Sequence, residues 1–234
     1  MLYLVTLPIA TFFFGAVAIV AGLLRIPRRS GIYDWCPRYW ARALIWAAGT
    51  PVRAVGFDAV PIDRPVVYVG NHQSWFDILA LAAFLPGSHR FVAKKEMRKI
   101  PLLGRAMESA GQLFIDRQNR QAAVGQLDDT AKVIRSGVSA VLFPEGTRSR
   151  TGDLLPFKKG PFVLALSAQV PLVPVYCAHT FGILPKGSIF VRPTEIELRF
   201  GAPVETAGRV YEDRARLQDE VRGAIEHLRE RGMP

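Results

Sequence analysis

Cysteine is nearly absent from this chain of 234 residues: the two that occur, Cys36 and Cys177, share neither the paired spacing of a zinc site nor that of a redox motif. They read as small buried hydrophobes in a reduced compartment. Nor do His, Asp and Glu fall at metal-ligand spacing, so no metal is expected. Internal repeats and low-complexity segments are missing, which argues against solenoids and disordered tails. Acidic residues are in deficit, with 20 Asp and Glu against 30 Lys and Arg, for a formal charge of +10. Net charge speaks to partners rather than to fold. Nucleic acid, an anionic membrane surface and phosphorylated small molecules all satisfy it, so the choice falls to the rest of the sequence.

Charge is also absent from residues 1–24, a run of Leu, Val, Ile, Ala and Phe that as a helix would extend roughly 36 Å. That is enough to span a bilayer. A cleaved secretory signal is the competing reading, since Ala16-Val17-Ala18 has small residues in a cleavage-like pattern. Against it, no basic residue precedes the run, which is longer than a signal core. Arg25, Arg28 and Arg29 follow at once and favour the cytoplasmic side for the remainder of the chain. Residues 33–48 mix Trp35, Tyr39, Trp40 and Trp46 with Arg38 and Arg42, a composition suited either to a membrane interface or to a packing helix on the domain surface. Residues 1–55 are therefore expected to be N-terminal membrane-anchoring helices, and 56–234 a single domain, since the length does not allow two ordinary ones.

Past Gly56, short β-branched runs alternate with helical patterns. Strands are expected at 65–70, 91–93, 113–115, 139–143 and 173–176, and helices at 78–85, 120–135 and 162–168. This alternation predicts an α/β fold with a largely parallel mixed sheet flanked by helices. Residues 195–200 alternate polar with apolar and suggest a half-exposed edge strand, and a final helix carries one apolar stripe of Leu217, Val221, Ile225 and Leu228.

In open sheets of this kind, ligands gather at the carboxyl ends of strands. After the first strand comes Asn71-His72-Gln73-Ser74-Trp75-Phe76-Asp77. A histidine can take a proton from a hydroxyl while a carboxylate on its other ring nitrogen fixes the tautomer. On a regular helix, five residues separate two side chains by about 140°, so His72 and Asp77 meet only across a bend. Ser74 supplies one, because Ser74 and Asp77 have capping-box spacing; by the same token Asp77 is readable as a simple cap and His72 as a loop residue. Two further blocks end strands with arginine, Gly111-Gln112-Leu113-Phe114-Ile115-Asp116-Arg117 and Phe143-Pro144-Glu145-Gly146-Thr147-Arg148-Ser149-Arg150. Arginine's planar fork suits phosphate, and the shared strand-end placement puts both arginines on the rim expected to hold His72. Lys94, Lys95, Lys158 and Lys159 read as a general electrostatic surface, and His89, His179 and His227 as structural.

These blocks, with Val170-Pro171-Leu172-Val173-Pro174-Val175-Tyr176, stand in the order of the glycerolipid acyltransferase family, which the chain resembles over roughly residues 66–176. The resemblance implies transfer from acyl-CoA or acyl-acyl carrier protein to a lysophospholipid, 1-acyl-sn-glycerol 3-phosphate being the leading acceptor and a lyso-ornithine lipid an alternative. It implies His72 as general base, Asp77 as its partner, phosphate binding by Arg117, Glu145, Gly146, Thr147 and Arg148, and an acyl site shaped by Pro171 and Pro174. It further implies no cofactor beyond the acyl donor, and an anionic membrane as partner, in bacteria the inner membrane with the catalytic domain on its cytoplasmic side. Two other classes compete. A basic nucleic-acid-binding protein explains the charge but not the apolar N-terminus, and no nucleic-acid motif is present. A membrane esterase using Ser74 lacks the glycines of a nucleophile elbow.

Overall fold

The computed structural model describes residues 2–28, 30–116, 120–185 and 187–231. Two antiparallel helices open it, α1 (Leu2–Leu23) and α2 (Ile32–Ala48). There follow β1 (Val52–Val55), β2 (Val67–Gly70), α3 (Trp75–Phe84), β3 (His89–Lys94), α4 (Leu103–Ser109), β4 (Leu113–Ile115), α5 (Arg120–Arg135) and β5 (Ser139–Leu142). The chain closes with α6 (Gly160–Ala168), β6 (Leu172–Ala178), α7 (Thr180–Ile183), β7 (Ile196–Phe200) and α8 (Arg214–Glu230).

Among the described residues these strands form one sheet in the order β1-β7-β6-β2-β5-β3-β4. Every pairing is parallel except β6 with β7, so β1 and β7 run against the other five. The pleat sends alternate residues to opposite faces. Tyr68, Val141, Val173 and Val175 join a core built with α1, α2 and α3, while Val67, Val69, Ala140 and Leu142 join one built with α5, α6 and α8. The mixed, mostly parallel sheet flanked by helices agrees with the expected class, and α5 has the expected bounds.

The strand expected at a half-exposed edge does not lie there. All five residues of β7 are buried, because β1, which has no clear sequence signature, pairs along its outer side. Two polar members of the alternation, Glu197 and Arg199, face an internal network, while Glu195 stays exposed. Glu197 accepts from Arg199 Nε at 2.5 Å and also pairs with Arg53. Arg199 donates in turn to the carbonyls of Leu228 at 2.9 Å and Arg229 at 3.1 Å, satisfying orphan groups at the end of α8.

Helix α1 is long and apolar enough to cross a membrane by length and composition. One face, with Tyr3, Ala10, Gly15, Ala18 and Ala21, is buried; Leu2, Val5, Ile9, Phe12, Phe13, Val20 and Leu23 are exposed. Close approach to α4 is secured at Gly22, where an added Cβ would stand 2.9 Å from Ser109 Oγ. Helix α2 packs on α3, and its arginines turn to backbone: Arg38 donates to Leu85 and Gly87 carbonyls and Arg42 to that of Ala83, capping the end of α3. Asp34 meets Arg90 at 2.5 Å. Trp35, Tyr39 and Trp46 remain exposed along the same helix.

Candidate active site

His72 sits in the bend between the carboxyl end of β2 and the start of α3, and its Nδ1 lies 2.8 Å from Asp77 Oδ2. The same oxygen accepts from the backbone N–H groups of Gln73 at 2.7 Å and Ser74 at 2.8 Å, completing a capping box with Ser74. The two readings of Asp77, helix cap and histidine partner, are thus one arrangement. The bend that capping creates is what turns His72 onto the carboxylate. Asp77 is fully buried beside Phe76 and Leu79, where an unpaired carboxylate would cost several kcal/mol; the three donors on Oδ2 offset part of that cost, while Oδ1 is buried without a hydrogen bond among the described residues. A carboxylate on Nδ1 leaves Nε2 as the ring's proton acceptor, and Nε2 has no hydrogen bond to a described residue.

The loop after β5 encloses His72 from the other side. Phe143 stacks on the imidazole with ring centroids 4.1 Å apart and planes 16° from parallel. Glu145 is buried, its Oε1 accepting from the His72 N–H at 2.8 Å and its Oε2 from the Leu155 N–H at 3.1 Å. Burial pushes its carboxyl up to about 7, outweighing the two N–H donors that favour the charged form. Ser149 N–H donates to the His72 carbonyl at 2.8 Å, and Gln73 Nε2 donates to Gly152 at 2.6 Å. Gly146 takes φ +72°, a conformation that glycine alone adopts without penalty and that turns the chain back after Glu145.

His72 faces a cavity of about 420 Å³. One wall is helical and apolar, with Phe14, Gly15 and Ala18 of α1, Trp40 of α2, and Ala106 of α4. Besides His72, polar residues on the lining include Thr11, Lys94, Gln112, Thr147 and Arg148, with Gly146 beside the last two. Arg148 places its guanidinium 5.6 Å from the centre of the Trp75 ring. Arg117 lies outside the described residues. Pro171 and Pro174 do not line the cavity: Pro171 precedes β6 and accepts from Val67 N–H, and Pro174 lies within β6, accepting from Gly201 N–H. Ser74 is fully buried and its Oγ donates to the Leu184 carbonyl at 3.1 Å, which leaves it no access as a nucleophile.

Three supporting residues carry no role that the sequence alone discloses. Lys94 is a cavity residue among lysines that read as a diffuse surface. Phe143 holds the histidine ring. Asn71 is fully buried and clips β2 to β6, its Oδ1 accepting from Cys177 N–H at 2.6 Å and its Nδ2 donating to the Cys177 carbonyl at 3.2 Å. An amide directly after a strand is the only available hint. His89 is buried, and desolvation with nearby Arg38 and Arg90 lowers it to about 4, so it is neutral and structural.

The arrangement is therefore a histidine held by a carboxylate on one ring nitrogen, at the edge of a largely apolar chamber that Lys94 and Arg148 also line. Residues 51–178 match the family described as Acyltransferase. The chain is 36% identical over 166 residues to a 1-acyl-sn-glycerol-3-phosphate acyltransferase of Cocos nucifera, covering 70% of this chain and 53% of that protein. It is 35% identical over 178 residues to the human 1-acyl-sn-glycerol-3-phosphate acyltransferase alpha, covering 76% and 63%. The chain thus spans little more than half the length of the plant relative. Among solved structures, the 1-acyl-sn-glycerophosphate (LPA) acyltransferase PlsC of Thermotoga maritima superposes with a TM-score of 0.76 at 27% identity, covering 97% of this chain and 95% of that one.

Proposed function

Since the chain belongs to the acyltransferase family, we propose that it transfers a fatty acyl group from acyl-CoA or acyl-acyl carrier protein to the free hydroxyl of 1-acyl-sn-glycerol 3-phosphate, giving phosphatidic acid. The observation that carries this reading is the His72–Asp77 pair, 2.8 Å apart, at the mouth of a chamber walled by apolar helices.

A thioester is already an activated acyl donor, so neither a covalent enzyme intermediate nor a cofactor is called for. Nε2 of His72 takes the proton of the acceptor hydroxyl as its oxygen attacks the thioester carbonyl. The tetrahedral intermediate collapses with loss of the carrier thiolate, which recovers the proton from the imidazolium, leaving an ester and a free thiol. Asp77 keeps the proton of the neutral ring on Nδ1 and stabilises the imidazolium. Arg148 and Lys94, with Arg117 joining from the second block, are the cationic groups we assign to the acceptor phosphate. The exposed apolar face of α1 is assigned to a membrane, in bacteria the inner one, with the catalytic domain on the cytoplasmic side. An anionic membrane suits the +10 charge, and nucleic acid has no part in this reading.

Mass spectrometry of lipids after incubation with a panel of lysolipids and either donor tests the proposal. Phosphatidic acid formed from lysophosphatidic acid is the expected product. Acylation of another lysolipid alone, such as a lyso-ornithine lipid, would replace the acceptor, and hydrolysis of the donor without any acylated lipid would sink the transferase reading.

A further inference from the structure

The strand-end loop after β5 supplies residues to two different environments. Gly146, Thr147 and Arg148 line the cavity, whereas Glu145, next to them in sequence, does not and is 2% exposed. We propose that Glu145 is a positioning residue that holds His72 by its main chain and makes no contact with the acceptor lipid, an inference that rests on His72 being the base of the proposed transfer.

His72 lies between β2 and α3, outside any strand or helix, so no ladder holds its backbone. The loop supplies what is missing. Glu145 takes the His72 N–H, Ser149 donates to the His72 carbonyl, and Phe143 fixes the plane of the ring. The second oxygen of Glu145 accepts from Leu155 N–H, ten positions further on, so the carboxylate closes residues 146–154 at their base. The Leu155 carbonyl is bonded in turn by Arg222 of α8 at 3.0 Å, which ties the clamp to the far helical layer.

Chemistry explains why glutamate occupies this position. Two N–H donors converge on one side chain and need two acceptor oxygens. Glutamine offers one oxygen and would turn an NH₂ group against the other N–H, while aspartate is a methylene shorter. A carboxylate turned into the cavity would instead repel a phosphate, so the loop faces its acid inward and its arginine outward.

The test compares Glu145→Gln with Arg148→Lys. For Glu145→Gln we expect kcat to fall at least about tenfold with both KM values within about twofold, because a displaced base slows chemistry without weakening binding. Arg148→Lys is expected to act chiefly on the acceptor KM. A structural readout accompanies the kinetics, the NMR ring signals of the histidines, with His72 assigned by its replacement. In Glu145→Gln the His72 signals should move while those of His89, His179 and His227 stay. Hydrogen exchange of the His72 amide in the unaltered protein needs no variant to fold, and slow exchange is expected. A raised acceptor KM with kcat retained, or unmoved His72 signals, or fast exchange of that amide, would overturn the assignment. The NMR and exchange measurements require no turnover, so a wild-type protein inactive on lysophosphatidic acid would refute the proposed reaction and still leave the role of Glu145 decided.

Discussion

Phe143 lies flat against His72, 4.1 Å between ring centres, while Asp77 grips the same ring at its Nδ1 edge. Plane and edge together give the imidazole one orientation and, among the described residues, leave Nε2 without a hydrogen bond, which is the preorganisation a general base requires. Each restraint comes from a different stretch of chain, brought together at the carboxyl ends of adjacent parallel strands.

Removing the proposed base should therefore cost chemistry and not folding. His72→Ala is expected to lose about 10²–10⁴-fold in turnover. Asp77→Asn should also be severely impaired, and less stable as well, since the side chain caps α3. Steady-state rates alongside thermal unfolding check both, and a folded His72→Ala protein with near-normal turnover would exclude His72 as the base.

Recognition of the acceptor should be separable from recognition of the donor. Arg148→Lys keeps the charge but loses the planar fork, so the acceptor KM should rise by roughly tenfold, with a smaller change for the donor. Varying the two substrates independently measures this. A change confined to the donor would move Arg148 to the carrier's phosphates.

Two buried groups should oppose each other in the pH dependence of stability. Glu145, raised to about 7 in the fold, contributes stability below about 4.5 that is lost as pH rises through 7. His89, lowered to about 4, contributes stability above about 6.5 that is lost as pH falls through 4. Each span is worth about 3 kcal/mol, so their slopes nearly cancel in the wild type. Melting curves between pH 4.5 and 7 should show stability rising with pH in Glu145→Gln and falling with pH in His89→Leu. Parallel profiles for wild type and Glu145→Gln would show that Glu145 titrates normally.

The buried network on β7 should behave as a unit. Glu197→Ala leaves Arg199 buried without its carboxylate and is expected to destabilise the protein by about 3 kcal/mol. Adding Arg199→Met should restore part of the loss. Denaturant unfolding of both variants would reveal it, and strictly additive losses would mean the two side chains do not interact.

Legibility of the sequence followed the length and regularity of each signal. Helix α5 is readable to its ends because its pattern is unbroken over 16 residues. Strand β1 is not, since four residues after a proline carry no countable period, and without β1 the pattern of β7 is that of an edge. Polar alternation there reports pairing within the fold, which a single strand cannot distinguish from exposure. At the site, the spacing of His72 and Asp77 announced a bend and Ser74 announced its cause. Glu145 gave no sign of facing inward, because a carboxylate in a donor-rich loop looks the same whether it meets a substrate or a backbone amide.

Deleting residues 2–24 should abolish activity even in detergent, because Phe14, Gly15 and Ala18 wall the cavity. An N-terminal segment that merely tethered the enzyme would be dispensable there, and full activity of the truncated, folded protein would show that it is.

That shared wall divides α1 into two faces with separate design freedom. Leu2, Val5, Ile9, Phe12 and Phe13 point away from the domain, whereas the small residues of the opposite side fit against α2 and α4. Replacing the outer face with polar residues is thus a route to a water-soluble form with an intact chamber, which truncation cannot offer. Conversely, grafting a foreign apolar anchor in place of α1 would restore tethering while leaving the chamber open on one side.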